Sequence, residues 1–468
     1  MRSHGPSPHL VETALTLFLG ALIMSTNCSR SYAAEPAWSL EKARARIRRH
    51  RMSDAVVELR LPDGSRLPRG TVVQVRQTEH AFLFGGSLTQ AWNLHKHPKF
   101  EQYLDRFDGL FNYATLGFYW NWHERKEPGT WKLAPHTARM LKWSKERGMT
   151  VKGHPLMWHN CLPRFVADEP DVKKIDRYIL DHVRMLPKTY PTVDQWDLYN
   201  ETPGIRFSPP ENGARRWVEA MGGTGPATKR LVDAVRQVRP EGFYMLNHFT
   251  HDDPEYDKQI AYCIDNEVRF DAIGVQTHMH TRKRILTEEV MWATLERHAA
   301  YGRPIHLSEV TILSSRIFED WRELQKMEGD ILAARRAGKA PPSHPSTPEG
   351  EARQAQAVAD FYTLAFSHPA IEAIVWWSVT DASAWRGSAG GLVDENMNPK
   401  PAYEALAQLI NEDWRTSEQL GTDAQGHVSF RGFHGDYSMT ASHGGQQLQG
   451  SFKIEPGKPC RVQLRMEK

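Results

Sequence analysis

Residues 195–201 read QWDLYNE, a short stretch with Trp196, Leu198 and Tyr199 as its large apolar side chains, and it ends on an amide and a carboxylate. Residues 305–309 read IHLSE and repeat the theme, with Glu309 directly after apolar residues. Short runs of this kind are typical of strands that are buried on both faces in a parallel sheet. The two stretches therefore predict strands whose carboxyl ends carry acidic side chains.

The same pattern continues on both sides of these stretches and alternates with amphipathic helices. Helices are predicted over 171–186 and 228–238, where apolar residues recur at helical spacing, and a last helix over 402–410. A segment rich in Pro and Ser at 341–350 indicates an enlarged loop after the seventh strand. Eight strand–helix units predict an α/β fold, a (β/α)₈ TIM barrel, with a doubly wound open sheet as the alternative. The predicted strands lie at 81–85, 113–119, 151–158, 195–200, 243–247, 272–278, 304–309 and 374–379.

Polar and aromatic residues follow nearly every predicted strand. A barrel places its chemistry at the carboxyl ends of its strands, so a repeated polar strand end indicates a pocket. Two carboxyls, Glu201 and Glu309, suit glycosidic hydrolysis, in which one protonates the leaving oxygen and the other attacks the sugar or stabilises the oxocarbenium-like centre. Indoles stack on sugar rings, and amides and imidazoles hydrogen-bond sugar hydroxyls. The strand-end residues are Trp120, Trp122, His154, Trp158, His159, Asn200, Glu201, Asn247, His248, Gln276, His278, His280, Glu309, Trp377, Asp381 and Trp385.

At these residues the chain resembles glycoside hydrolase family 10, the family of retaining endo-β-1,4-xylanases, over roughly 85–412. Several motifs occur in the order of the family, and together they are specific although none suffices alone. The resemblance implies a hydrolase that degrades xylan by double displacement, with a polysaccharide or oligosaccharide as substrate and with no cofactor or metal. The motifs are GHPLMWHN at 153–160, WDLYNET at 196–202, AIGVQTHMH at 272–280, IHLSEVTI at 305–312, WWSVTDASAWRG at 376–387 and NPKPAYEAL at 398–406.

The resemblance also implies roles for individual residues. Glu201 is then the general acid/base and Glu309 the nucleophile, while Asn200 contacts the 2-hydroxyl of the sugar at the cleavage point. Formation of a glycosyl ester removes the charge of Glu309, which lowers the pKa of Glu201 and lets it act as a base. The other residues expected to line or cap this subsite are His154, Trp158, Gln276, His278, Trp377 and Trp385.

The second strand departs from the family pattern. The family usually has Glu-Asn and then Lys there, which hydrogen-bond sugars on the non-reducing side, whereas this chain has Phe118, Tyr119 and Trp122. We therefore expect stacking, with Tyr119 and Trp120 among the substrate-binding residues, to replace those hydrogen bonds. This change leaves open a decorated or different β-glycan as the substrate.

A second departure lies two residues after the predicted nucleophile, where the family usually has Asp and this chain has Thr311. A hydroxyl orients an imidazole but does not stabilise its cation as a carboxylate does. We therefore expect His278 to act as a neutral hydrogen-bonding group.

The N-terminal residues predict a secretory signal peptide over 1–33. A basic residue precedes an apolar run at 14–24, and small residues follow at 31–33. A secreted or periplasmic protein is therefore expected, with an uncleaved anchor as the alternative.

The predicted barrel spans 80–415 and leaves a segment on each side. Residues 34–79 are predicted as an N-terminal helix and β-strand extension, and residues 420–468 as a small β module. Because an isolated hairpin is marginally stable, we expect strands from the two ends to pair with each other. A structural cap is the favoured interpretation of the module, with sugar binding as the alternative.

Composition limits the partners of the protein. Lys and Arg number 59 against 56 Asp and Glu, so nothing in the charge indicates a nucleic-acid partner. A mean hydropathy of −0.57 excludes a polytopic membrane protein. The 4 cysteines are too widely spaced for a disulfide framework or structural zinc. We expect a monomer that binds carbohydrate and, after signal cleavage, no membrane.

Two other functions are compatible with the barrel. A metal-dependent hydrolase would use His278 and His280, joined by His154, His159 and His248, although no acidic cluster completes the shell. A catalytically inactive carbohydrate-binding barrel is the second alternative, but degenerate barrels usually lose a catalytic carboxylate and this chain has both.

Overall fold

The computed structural model describes residues 36–467, so the predicted signal peptide lies outside the described residues. The strands are numbered here in chain order. They are β1 (Met52–Arg60), β2 (Val72–His80), β3 (Leu83–Ser87), β4 (Tyr113–Gly117), β5 (Thr150–His154), β6 (Met157–Trp158), β7 (Gln195–Asn200), β8 (Phe243–His248), β9 (Ala272–Val275), β10 (His278–Met279), β11 (Ile305–Ile312), β12 (Ile371–Trp376), β13 (Ser417–Gly421), β14 (His427–Phe433), β15 (Gly435–His443), β16 (Gln446–Ile454) and β17 (Cys460–Arg465).

Eight parallel strands close into a barrel in the order β3, β4, β5, β7, β8, β9, β11 and β12. Closure comes from the pairing of β12 with β3, in which Trp376 lies opposite Gly86. The short strands β6 and β10 extend the wall beside β7 and β11. The predicted (β/α)₈ barrel is therefore confirmed, and the open doubly wound sheet is excluded.

Helices surround the barrel and turn apolar stripes toward it. In the longest helix of the first half, Ile175, Ile179 and Val183 recur at helical spacing and are all buried. The enlarged loop after β11 contains an additional helix, α12. The helices are α1 (Leu40–His50), α2 (Ala91–Leu94), α3 (Phe100–Asp108), α4 (Trp120–His123), α5 (Pro135–Glu146), α6 (Arg164–Ala167), α7 (Val172–Thr189), α8 (Gly213–Ala220), α9 (Thr224–Val238), α10 (Pro254–Asp265), α11 (Glu288–Ala299), α12 (Trp321–Arg336), α13 (Pro348–Ser367) and α14 (Pro401–Ala407).

Shorter helical turns occur mainly where the chain leaves a barrel strand. No helix between residues 36 and 467 is long and apolar enough to cross a membrane. The 3₁₀ turns are His159–Cys161, Thr202–Phe207, Arg282–Arg284 and Trp385–Gly387, and a π-helical turn, Gln408–Asp413, follows α14.

Three predicted strands differ clearly from the observed ones. The strand predicted at 272–278 is divided into β9 and β10, and Thr277 between them has a φ of 57°. The predicted strand at 151–158 is divided into β5 and β6, because Pro155 has no N–H to donate to a sheet ladder. The strand predicted at 374–379 is β12, which begins and ends three residues earlier. There the carbonyl oxygen of Val379 accepts from the amides of Leu392 and Val393 instead of from a barrel strand.

Strands from the two ends of the chain pair with each other, as expected. β1 lies between antiparallel β14 and parallel β17, and β2 lies between antiparallel β13 and β15. These two small sheets share an apolar core that includes Val57, Val75 and Met439. The sequence analysis missed β13 and β16, whose side chains are mostly polar and exposed.

Candidate active site

A cleft of about 530 Å³ opens at the carboxyl ends of the barrel strands. Both predicted catalytic carboxyls, Glu201 after β7 and Glu309 in β11, line this cleft. Eight of the nine predicted substrate-binding residues line it as well. These are Tyr119, His154, Trp158, Asn200, Gln276, His278, Trp377 and Trp385.

Trp120 is the exception, because it does not line the cleft. Its ring stacks on His182 with 3.8 Å between centroids, and its Nε1 donates to Glu124 at 2.6 Å. Residue 120 begins α4, where successive side chains point in different directions around the helix. Trp122 reaches the cleft instead, with its ring centroid 4.5 Å from that of Tyr119.

Glu201 is held by an unusual backbone at the end of β7. Its φ of 57° and ψ of 35° lie in the left-handed region, which costs a non-glycine residue about 1–3 kcal/mol. Its amide donates to the carbonyl oxygen of Asn247 at 2.7 Å. The pairing of β7 with β8 shifts register between Asp197 and Asn200, directly before this residue. The fold therefore maintains local strain where it places the carboxyl.

Glu309 occupies a comparable irregularity in β11. The pairing of β11 with β12 shifts register between Leu307 and Val310, and such irregularities re-aim side chains near functional sites. Oε1 of Glu309 accepts from Asn247 Nδ2 at 2.8 Å, and Oε2 lies 3.1 Å from His278 Nε2. Both carboxylate oxygens thus face hydrogen-bonding groups.

Three amide side chains connect the two carboxyls. Gln276 Nε2 donates to Glu201 Oε1 at 3.0 Å and to Asn200 Oδ1 at 3.3 Å. Asn247 Nδ2 donates to the same Asn200 oxygen at 2.8 Å and also to Glu309. The two carboxyls, distant in sequence, therefore belong to one hydrogen-bonded network. Asn247 was recognised as a strand-end residue, but the sequence assigned it no role.

Burial raises the pKa of both carboxyls. The pKa of Glu201 is raised mainly by burial and also by the charge of Glu309, against the hydrogen bond from Gln276. Burial raises the pKa of Glu309 to about 7, opposed by the charges of His154 and Lys152. Because the negative charge of Glu309 disfavours ionisation of Glu201, the pair favours a state in which only one of the two carboxyls is ionised.

A buried ion pair lies behind His154, which lines the cleft. Asp197 Oδ2 accepts from His154 Nδ1 at 2.6 Å and lies 3.2 Å from Lys152 Nζ. Burial raises the pKa of Asp197, but Lys152 and His154 together hold it below the ordinary value. Asp197 is thereby an anion that orients the His154 ring in the cleft wall.

His278 contacts Glu309 through one ring nitrogen and Thr311 through the other. Nδ1 lies 3.0 Å from Thr311 Oγ1, and the ring of Trp385 packs 4.4 Å away. Burial, together with Arg386 and Arg284, holds the pKa of His278 well below its ordinary value. One neutral tautomer satisfies both contacts, with Thr311 donating to Nδ1 and Nε2 donating to Glu309. The pKa shift agrees with the predicted neutral role.

Only three of the five histidines named for a metal centre line the cleft, namely His154, His278 and His280. His248 is buried away from the cleft, where its Nε2 lies 2.8 Å from Asp253 Oδ2, and His159 also does not line the cleft. Residues 36–467 contain no group of three or more His, Cys, Asp or Glu side chains placed to hold a metal ion. The metal-dependent alternative thus has no ligand set in this part of the chain.

Several cleft residues were not identified from the sequence. They come from loops and short helical turns, from the short helix α2 and from the inserted helix α12, where no strand pattern marks the position. They include Gln90, Asn93, Arg284, Trp321 and Arg386.

A family model described as glycosyl hydrolase family 10 matches residues 76–409. Endo-1,4-beta-xylanase B of Thermotoga neapolitana is 26% identical over 338 residues, covering 69% of this chain and 86% of that protein. Anti-sigma-I factor RsgI6 of Acetivibrio thermocellus is 23% identical over 414 residues. That match covers 86% of this chain, which spans 46% of the length of the anti-sigma factor.

Solved structures share the barrel. Xylanase 10B of Thermotoga petrophila, in complex with xylobiose, has a TM-score of 0.55 at 21% identity, covering 71% of this chain and 95% of that one. Xylanase 10C of Cellvibrio japonicus has a TM-score of 0.55 at 18% identity and covers 70% of each chain. At 18 and 21% sequence identity, the similarity to these two structures establishes the fold alone.

Proposed function

This chain belongs to glycosyl hydrolase family 10 and is a xylanase-like glycoside hydrolase, and on that premise we propose that it is a retaining endo-β-1,4-xylanase. In this proposal Glu201 is the general acid/base and Glu309 the nucleophile. One observation carries the assignment: two carboxyls from different barrel strands share an aromatic-walled cleft and one hydrogen-bonded amide network.

The first step forms a glycosyl ester. An oxygen of ionised Glu309 attacks the anomeric carbon while protonated Glu201 donates its proton to the glycosidic oxygen, and the bond to the leaving sugar breaks. Asn247 and His278 contact the attacking carboxylate. This step requires the form of the pair in which Glu201 has the proton.

The second step hydrolyses the ester. Ester formation removes the negative charge of Glu309, which is one cause of the raised pKa of Glu201. Glu201 is then a stronger acid, so its ionised form takes a proton from water while the water oxygen attacks the anomeric carbon. The ester bond breaks, Glu309 regains its charge, and two inversions leave the anomeric configuration retained.

Kinetics and product analysis test the assignment. Purified protein would be assayed on xylan, arabinoxylan, glucuronoxylan, β-glucan and mannan, with the product anomer followed by NMR. We expect a β product first, and we expect Glu309→Ala to abolish hydrolysis while oligosaccharide binding remains. Glu319→Ala, at an exposed position outside the cleft, is the matched control. Full turnover by Glu309→Ala would show that the roles are wrong.

A different β-glycan is the second candidate substrate, and the aromatic group beside β4 favours it. Trp122 packs between Tyr119 and Trp92, with ring centroids 4.5 and 4.6 Å away. These rings offer stacking surface at the position where the family has hydrogen-bonding groups. Faster hydrolysis of β-glucan or mannan than of any xylan in the same panel would favour this candidate.

We also propose that the protein is exported, with cleavage of a signal peptide near residue 33. The support is the apolar run at 14–24 and the small residues that follow it. N-terminal sequencing of the protein from the medium or periplasm tests this. A cell-retained product that begins at residue 1 would contradict it.

A further inference from the structure

Two arginines line the active-site cleft without a part in the hydrolysis of a neutral sugar chain. Arg284 lies in the turn after β10, and Arg386 directly follows Trp385. Both charges act on His278, and Arg284 acts on Arg386, so the two guanidinium groups face the same part of the cleft. Glu201 is also close enough for its charge to act on Arg386.

Each arginine retains hydrogen-bonding capacity beyond its present contacts, although acidic groups lie near both. Arg386 pairs with Glu328, with 3.1 Å between Nη1 and Oε1, but within residues 36–467 its buried Nε has no hydrogen-bond acceptor. Arg284 Nη1 donates to the carbonyl oxygen of Phe249 at 2.8 Å, and the charges of Asp252 and Asp253 act on Arg284 without a direct ion pair. Buried donors without acceptors are costly, so their presence beside a cleft indicates a missing acceptor.

Arg386 is also held in a fixed arrangement. Its guanidinium carbon lies 4.4 Å from the ring centre of Trp385 and 4.9 Å from that of Trp321. Its backbone has a φ of 57° and a ψ of 21°, a left-handed conformation that is costly for a non-glycine residue. Trp321 begins the inserted helix α12 and is 48% exposed. The insertion thus supplies an open aromatic surface next to a positioned cation.

We propose that Arg284 and Arg386 form a subsite for a carboxylate carried by the glycan, so that the preferred substrate is a xylan with uronic-acid substituents. A carboxylate offers two acceptor oxygens that match the planar donors of guanidinium, whereas a neutral sugar ring requires no charged partner. The exposed ring of Trp321 would stack on the sugar that carries the acid. This inference rests on the proposed xylanase function and specifies its substrate class.

The test compares binding of two ligands to the inactive Glu309→Gln protein by calorimetry. The ligands are an unsubstituted xylo-oligosaccharide and one of equal backbone length with a glucuronic-acid branch. We expect the acidic ligand to bind about tenfold more tightly, a ratio typical of one charge-assisted contact. The added variants Arg284→Gln and Arg386→Gln should each reduce this ratio toward one, and higher salt should reduce it as well.

Arg282→Gln is the matched control, because Arg282 lies two residues from Arg284 but is exposed, pairs with Glu319 and does not line the cleft. This variant should preserve the ratio. Circular dichroism identifies any variant that does not fold. One folded arginine variant, either Arg284→Gln or Arg386→Gln, is enough for the test. Equal binding of the two ligands, or an unchanged ratio in a folded arginine variant, would overturn the anionic subsite and leave the xylanase proposal standing. Failure to bind or cleave any xylo-oligosaccharide would instead reject the xylanase function.

Discussion

At the scale of single residues, the fold holds Glu309 where burial opposes its charge. The pKa of this carboxyl is about 7 in the folded chain against an ordinary 4.5. Between these pH values the folded state binds more protons than the unfolded state, so the free energy of unfolding falls as pH rises. Above pH 7 Glu309 is ionised in both states, and the burial of its charge lowers the free energy of unfolding by about 3 kcal/mol.

We therefore predict that Glu309→Gln stabilises the protein while it removes activity. At pH 8 the free energy of unfolding should rise by about 1–3 kcal/mol, measured by urea denaturation. The amide fits, because Asn247 still donates to its oxygen and His278 can accept through Nε2 in its other tautomer. Little gain is expected at pH 4.5, where Glu309 is already protonated, so a gain of equal size at both pH values would contradict the electrostatic cause.

Burial and nearby cations keep His278 neutral, and Thr311 contacts its Nδ1. We predict that an NMR titration of the wild-type protein gives His278 a pKa below 6.5, since burial and two arginines oppose the cation. Thr311→Asp should raise that pKa, because the new carboxylate would contact Nδ1. Thr311→Val removes the contact to Nδ1 and should lower kcat/KM about tenfold with little change in the pKa. A wild-type pKa well above 6.5 would contradict the neutral role.

At the scale of elements, the barrel strands that carry the site are fitted closely to their neighbours. β5 ends at His154, and the residue before it is Gly153. A Cβ at Gly153 would lie 2.2 Å from a ring carbon of Trp196, whose side chain is fully buried in β7. The glycine is therefore required by the close approach of two strands that both lead into the cleft.

We predict that Gly153→Ala destabilises the protein by about 1–3 kcal/mol, the usual cost of overpacking. It should also lower kcat/KM, because displacement of β5 moves His154. Gly329→Ala in α12 is the control, since nothing lies within 4 Å of its Cβ and alanine favours helices. Both variants are measured by thermal unfolding and by initial rates. Equal stability of the two would contradict the prediction, because it would mean that the Trp196 ring moves aside at little cost.

At the scale of the whole molecule, many histidines are buried in the neutral form. Burial is the largest cause that lowers the pKa of each, and for eight of them the pKa falls to about 3 or 4. An unfolded histidine has a pKa near 6.5, so between pH 6.5 and 4 the unfolded state binds more protons. The eight are His80, His123, His159, His182, His298, His306, His368 and His434.

We therefore predict that the free energy of unfolding falls steeply as pH is lowered from 6.5 to 4. Each histidine contributes up to about 1.4 kcal/mol per pH unit, partly offset by the opposite slope of Glu309. Urea unfolding followed by tryptophan fluorescence measures this dependence. His306→Leu should reduce the slope, since His306 is fully buried and neither ring nitrogen has a hydrogen-bond partner within residues 36–467. A flat profile between these pH values would contradict the prediction.

The barrel and most of the cleft could be predicted from the order of the residues alone. Apolar runs with polar ends, repeated eight times, predict parallel strands that meet at one edge. Both predicted catalytic carboxyls and eight of the nine predicted substrate-binding residues line the cleft there. The sequence also indicated an enlarged loop after the seventh strand, and it favoured pairing between the two ends of the chain because short strands are marginal alone. These features depend on periodicity and on local chemistry, and both are properties of residues that are close together in the sequence.

Only the tertiary structure decided which side chains meet. Trp120 and Trp122 are equally plausible from sequence, but the direction of α4 buries the first against His182 and brings the second to Tyr119. Arg284, Arg386 and Trp321 are far apart in the chain and become neighbours at one cleft because loops after different strands converge there. The pKa of Glu309 likewise depends on burial and on distant charges. The direction of a side chain, the convergence of separate loops and the burial of a group all depend on distances in space. The order of the residues alone does not specify these distances.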